Sequence, residues 1–137
     1  MNAKDYLLEY KRIMVRVQIL QTEIERLRTE AEGATISLDG MPKGSGAYDK
    51  TARLAIQLAA YESDLSDELS HLWSKRMDII NNLGKLQDGK LQKLLHARYI
   101  ECKSWEHIAV EMDITWRYCY MLHGEALVAF EKILKQN

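Results

Sequence analysis

Residues Ser104 to Leu127, SWEHIAVEMDITWRYCYMLHGEAL, spell out two short helices and the turn between them. Ser104 has the side chain to cap the first helix, and Glu106 sits in the first turn, where the helix dipole favours an acid. Ile108, Ala109 and Met112 then share one face at helical spacing. Asp113 stands where the chain must turn, because Asp tolerates left-handed backbone better than most residues. Thr115 caps the next helix, whose inward face carries Cys119, Leu122 and Ala126. A small residue, a turn residue four positions on and an apolar residue six beyond that make the spacing of a helix-turn-helix. Ala109 lets the helices cross closely, and Cys119 closes the wedge between them.

With Cys119, Leu122 and Ala126 inside, Trp116, Arg117, Tyr120, Met121 and Gly124 fall on the outer face. In this motif the start of the second helix enters the major groove of DNA. Arg117 offers a bidentate pair to guanine O6 and N7, while Trp116 and Tyr120 suit thymine methyls or sugars, Tyr120 can also hydrogen-bond phosphate, and Met121 stands beside them. These four are the expected base readers of double-stranded DNA. Lys90, Lys93, Arg98 and Lys103, with Thr115 and His123, are the expected phosphate contacts, which add affinity without sequence information.

The segment DITWRYCYMLHGEAL resembles the recognition helix of the C-terminal domain of bacterial sigma factors. With LLHARYIECKSWEHIA before it and the GMPKGSG connection upstream, the whole chain resembles phage-encoded sigma-like late transcription regulators of the ArpU and RinA kind. That resemblance implies DNA binding, control of late transcription in a bacterial cytoplasm, and contact with RNA polymerase. The pattern departs from the sigma type in one respect. WRYCYM carries one Arg and three aromatics where several basic or polar readers are usual, and Ser104 to Leu127 has a net charge of −3 with histidines neutral. Residues 85–103 bring five Lys or Arg against Asp88 and Glu101. Weak binding by a lone domain follows, so dimerisation or help from polymerase is expected.

Working back toward the N-terminus, Lys90 to Cys102 reads as a supporting helix with Leu91, Leu94, Leu95, Tyr99 and Cys102 on one face, after a break at Asp88 and Gly89. Residues 3 to 32 alternate steps of four and three through Tyr6, Tyr10, Ile13, Val17, Leu20, Ile24, Leu27 and Ala31. That a/d seam predicts a coiled-coil helix of roughly 45 Å. A second long helix is expected from Asp49 to Leu86, marked by Leu54, Leu58, Tyr61, Leu65, Leu69, Leu72, Ile79, Leu83 and Leu86, with Arg76 breaking the row. The two form an antiparallel hairpin. Trp73, Met77 and Ile80 add a further apolar edge, which favours a homodimer.

Gly33 is the expected end of the first helix, and residues 33–47 a long connection with Gly40, Pro42, Gly44 and Gly46 as breakers. Its MPKGSG has Lys before Gly and no preceding strand, so a phosphate-binding loop is not expected. Ile36, Leu38 and Met41 leave a partner-binding loop as the alternative to a plain connector.

Composition bounds the rest. A chain of 137 residues, 47% hydrophobic, with one Pro and seven Gly, suits an all-α protein with a modest core. A net charge of −1 excludes a general cationic coat for nucleic acid. No stretch approaches the roughly 18 apolar residues of a membrane span, and MNAKDYLLEYKRIM lacks the apolar core of a signal peptide, so a cytoplasmic protein with reduced Cys102 and Cys119 is expected. His96, Cys102, His107, Cys119 and His123 lack the pairing of a zinc site. No nucleophile stands with a base, so no metal, cofactor, small-molecule substrate or enzymatic activity is expected.

The reading is thus an all-α chain, a long N-terminal antiparallel hairpin (residues 1–87) followed by a sigma-like helix-turn-helix (88–137), acting as a homodimeric DNA-binding transcription regulator. Two alternatives remain from the sequence. One is an adaptor that docks on RNA polymerase or another protein through the helix-turn-helix; the other is a small subunit of a phage DNA-packaging machine.

Overall fold

The computed structural model describes the backbone of residues 2–37 and 45–136 and the side chains of 2–33 and 49–136. The chain is all-helical: α1 (Ala3–Ser37), α2 (Ser45–Leu83), α3 (Gly89–Leu95), a π-helical turn (His96–Ile100), α4 (Trp105–Met112) and α5 (Trp116–Gln136). No strand occurs among the described residues, and no helix is long and apolar enough to cross a membrane. The chain clusters into two compact units, Met1–Met14 with Leu72–Asn137, and Val15–His71. The sequence break at Asp88 and Gly89 suggested a boundary at 87/88. The compact unit instead takes in an end of each long helix, because α3 to α5 need apolar cover that α1 and α2 provide.

In the smaller unit, α1 and α2 pack antiparallel along the expected seam, which buries Val17, Leu20, Ile24 and Leu27 of α1 and Leu54 of α2. Arg28 reaches Glu62 across the pair at 2.9 Å, and Arg26 holds Glu23 and Glu30 one turn away on its own helix. These exposed pairs each contribute a few tenths of a kcal/mol at most. The apolar seam therefore carries the association.

Three boundaries differ from expectation. Helix α1 runs through Gly33 to Ser37, Gly33 keeping helical backbone at a cost of about 0.5 to 1 kcal/mol relative to Ala. Helix α2 starts at Ser45, before Asp49, and stops at Leu83, where Gly84 and Lys85 turn the chain; Leu86 still buries itself beyond the end. The expected 33–47 connection thus shortens from both sides, and its remaining part, 38–44, lies outside the described residues.

The larger unit has the fuller core. Leu7 and Tyr10 of α1, Ile79 and Leu83 of α2, Leu94 and Leu95 of α3, Ile108 of α4 and Cys119, Leu122, Ala126 and Phe130 of α5 form one buried cluster. Arg76, the break in the apolar row, donates to the Tyr10 hydroxyl at 3.1 Å, and buried Asn82 donates to that of Tyr6 at 3.2 Å. Both polar groups are therefore satisfied, as burial demands. The apolar extension of α5 also finds its cover: the Phe130 ring lies 5.9 Å from that of Tyr6, and the Ala3 amide donates to Glu131 at 3.3 Å.

The supporting helix is shorter than its sequence suggests. Asp88 caps α3 through the Lys90 amide, and at His96 the backbone widens, the Glu101 amide bonding the His96 carbonyl five residues back. That extra residue per turn shifts the face, and Cys102, with φ of 57°, ends exposed instead of in line with Tyr99.

Candidate nucleic-acid interface

The caps read from the sequence form as expected. The Ser104 hydroxyl accepts the His107 amide at 3.2 Å, and the Thr115 hydroxyl accepts that of Tyr118 at 3.1 Å. Between them Asp113 takes left-handed backbone, φ 54° and ψ 50°, and the Ile114 amide closes the turn on the Ala109 carbonyl at 3.0 Å. A residue with a β-branch pays about 1 to 2 kcal/mol in that conformation, whereas Gly pays none. Asp113→Val is accordingly expected to cost about 1 to 2 kcal/mol of unfolding free energy in urea melts while Asp113→Gly costs little; equal values for the two would show that left-handed backbone at this position does not limit stability.

Cys119, Leu122 and Ala126 are buried, so α5 turns Trp116, Arg117, Tyr120 and Met121 outward together, each about half exposed or more open. Arg117 forms no ion pair with a described residue. The Trp116 ring meets Tyr120 edge-on at 5.2 Å, which props two of these four outward side chains against each other. Tyr118 also stands outward, a position that the sequence reading passed over.

The expected phosphate contacts divide. Lys90 and Lys93 are exposed on α3. The Lys103 ammonium is held by Glu111 at 2.9 Å and by Glu101 at 3.4 Å, which raises its pKa and lowers that of Glu111, so its charge is already answered. The Thr115 hydroxyl is taken up by the cap. Arg98 lies with its guanidinium 4.5 Å from the centre of the Trp105 ring and donates to the Lys103 carbonyl at 3.0 Å. His123 is half-buried, its Nε2 2.7 Å from the Tyr99 hydroxyl and its ring 4.6 Å from that of Trp105. Burial, with Lys4 and Arg98 nearby, pushes its pKa down to about 4, so it brings no positive charge to a phosphate at neutral pH.

The folded pKa of His123 thus lies below the 6.5 of an unfolded chain. Between those values the unfolded state binds the extra proton, so stability is full above pH 6.5 and falls as the pH drops toward 4. Urea midpoints at pH 7 and pH 5 are expected to fall for the parent and to fall less for His123→Gln; identical shifts would remove His123 from the acid response.

Sequence reasoning missed Trp105, which gathers Arg98, Tyr120 and His123 around one ring. It also missed Lys4 and Lys11 of α1, which the fold brings beside them. The i, i+7 spacing of those lysines was visible, but nothing local pairs α1 with α5. The cysteines and histidines weighed for zinc lie apart in function: Cys119 is in the core with its thiol pKa raised by burial, while His107 and His96 face Glu111 and Glu101. Among the described residues no three His, Cys, Asp or Glu side chains come together as a metal site. No family model, no curated protein and no solved structure matches the chain, so its own geometry carries the functional reading.

Proposed function

We propose that the chain is a sequence-specific, double-stranded DNA-binding transcription regulator that works without cofactor or catalysis. The observation that carries the reading is the first two turns of α5: an unpaired Arg117 beside Trp116, Tyr120 and Met121, presented by a helix whose opposite face is locked by Cys119 and Leu122. This is the presentation that groove reading requires. The resemblance to phage late regulators narrows the proposal to late gene control in a bacterial cytoplasm. Lys90 and Lys93 supply the remaining sequence-independent attraction, a small basic footprint that a homodimer would double. Trp73, 66% exposed, and Met77 one turn on support such a dimer, since paired apolar side chains of this size commonly cover each other.

The adaptor reading is favoured by two observations. Lys103 is neutralised by its own neighbours, and the exposed face of α5 is more aromatic than basic. RNA polymerase is the partner that reading names.

Selection of the full chain against a randomised duplex pool, across a salt series, separates the two. Enrichment of a palindromic or repeated site, with half-sites about one helical turn or a multiple apart, is the expected result. Salt-sensitive binding without enrichment, joined to capture of RNA polymerase, would replace direct reading with docking.

A further inference from the structure

A cavity of about 360 Å³ opens between the start of α1 and the α4–α5 pair. Lys4, Lys11 and Arg98 make its basic side, and Trp105, Tyr120 and His123 its aromatic side. No carboxylate lines it. Lys4 and Lys11 stand seven residues apart with Leu8 between them, on one face of α1. None of the three cations is ion-paired among the described residues, unlike Lys75 with Glu9 or Lys103 with Glu111. Arg98 directs one N–H at the Lys103 carbonyl and keeps others free, while its plane is fixed over Trp105.

Three like charges gathered without a counter-charge repel one another, and an anion with several oxygens relieves them all. A bare anion would leave the aromatic wall unused. Trp105 and Tyr120, 5.3 Å apart between ring centres, offer a surface suited to a flat heterocycle. His123, neutral and tied through Nε2 to Tyr99, has no hydrogen-bond partner on Nδ1 among the described residues. It can therefore meet a polar ring edge at no charge cost. The volume falls in the range of small-ligand sites, about 300 to 1,000 Å³.

We propose that this cavity binds an aromatic phosphate of the nucleotide class, with the phosphate on Lys4, Lys11 and Arg98 and the base against Trp105 and Tyr120. The ligand is a free mononucleotide or the 5′-phosphorylated end of a strand; both carry the same chemistry. The site does not depend on groove reading by Arg117.

The test titrates the full chain by calorimetry with AMP and UMP, and in parallel with inorganic phosphate and with adenosine. Saturable binding of a mononucleotide is expected, with phosphate or adenosine alone at least about tenfold weaker. Lys4→Gln with Lys11→Gln, both exposed, should weaken it by about tenfold at an unchanged thermal melt, and Tyr120→Ala should weaken it independently. A 5′-phosphorylated trinucleotide that binds more tightly than AMP supports the site and assigns it to strand ends; one that binds less tightly supports it and assigns it to free nucleotide. No saturation by either mononucleotide up to about 10 mM, or an affinity indifferent to the lysine and Tyr120 changes, would overturn the proposal.

Discussion

Replacing Phe130 with alanine is expected to remove about 3 to 5 kcal/mol of stability and to lower the melting temperature by roughly 10 to 20 °C. Phe130 has no exposed surface, and its ring meets Tyr6 of α1 at 5.9 Å. It sits where the last turns of α5 lie against the first turns of α1, beside the bond from the Ala3 amide to Glu131. Deleting the ring leaves a cavity lined by helices that cannot easily collapse, since each is also held by its own buried neighbours. The loss should spread: amide exchange at the start of α1 and the end of α5 should quicken together, because each covers the other. If the alanine variant fails to fold, Phe130→Leu, which keeps most of the volume, should fold with a smaller loss. A loss under about 1 kcal/mol in the alanine variant would mean that α5 does not depend on α1 for cover.

Which features could be read in advance follows from how local their causes are. The helix-turn-helix was legible residue by residue because its signals act over three or four positions: Ser104 and Thr115 each bond an amide three residues on, and Asp113 needs only its own backbone preference. The seam of α1 was legible because a heptad pattern repeats one cause several times, from Tyr10 to Leu27. The widened turn at His96 was not, since an extra residue in a helical turn leaves no mark on apolar spacing until Cys102 falls out of line. Gly33 misled in the other direction. Its flexibility permits a helix end without requiring one, and the helix continues.

The candidate interface divides along the same line. Outward placement of Trp116, Arg117, Tyr120 and Met121 follows from one buried face, which sequence supplies. Whether a lysine is available depends on a partner, and Glu111 lies eight residues from Lys103, across the corner that leads into α4. His123 likewise looked like a polar helix-face residue. Its pairing with Tyr99 and its place under Trp105 depend on how the π-helical turn packs against α5, which is a tertiary matter. The sequence reading was therefore strongest on which side chains of α5 face outward and weakest on which cations and polar groups are left without a partner.

That division makes Arg117 the sharpest test of function. Arg117→Ala is expected to weaken a selected site by about 1 to 3 kcal/mol per half-site, roughly 5- to 150-fold, and by twice that free energy in a homodimer. Binding to unrelated duplex should fall far less, because one arginine carries only a small part of the salt-dependent attraction. Arg117→Lys should recover little, since an ammonium cannot make the planar two-bond contact to guanine. The substitution should not disturb the fold, as the side chain is exposed and unpaired and the α5 cap belongs to Thr115. Arg117→Glu discriminates further: it should abolish duplex binding through repulsion while leaving any polymerase contact made by Trp116 and Met121 in place. If duplex binding and site preference survive all three changes, Arg117 does not read a base, and the aromatic face of α5 is left as the surface through which the chain acts on a protein.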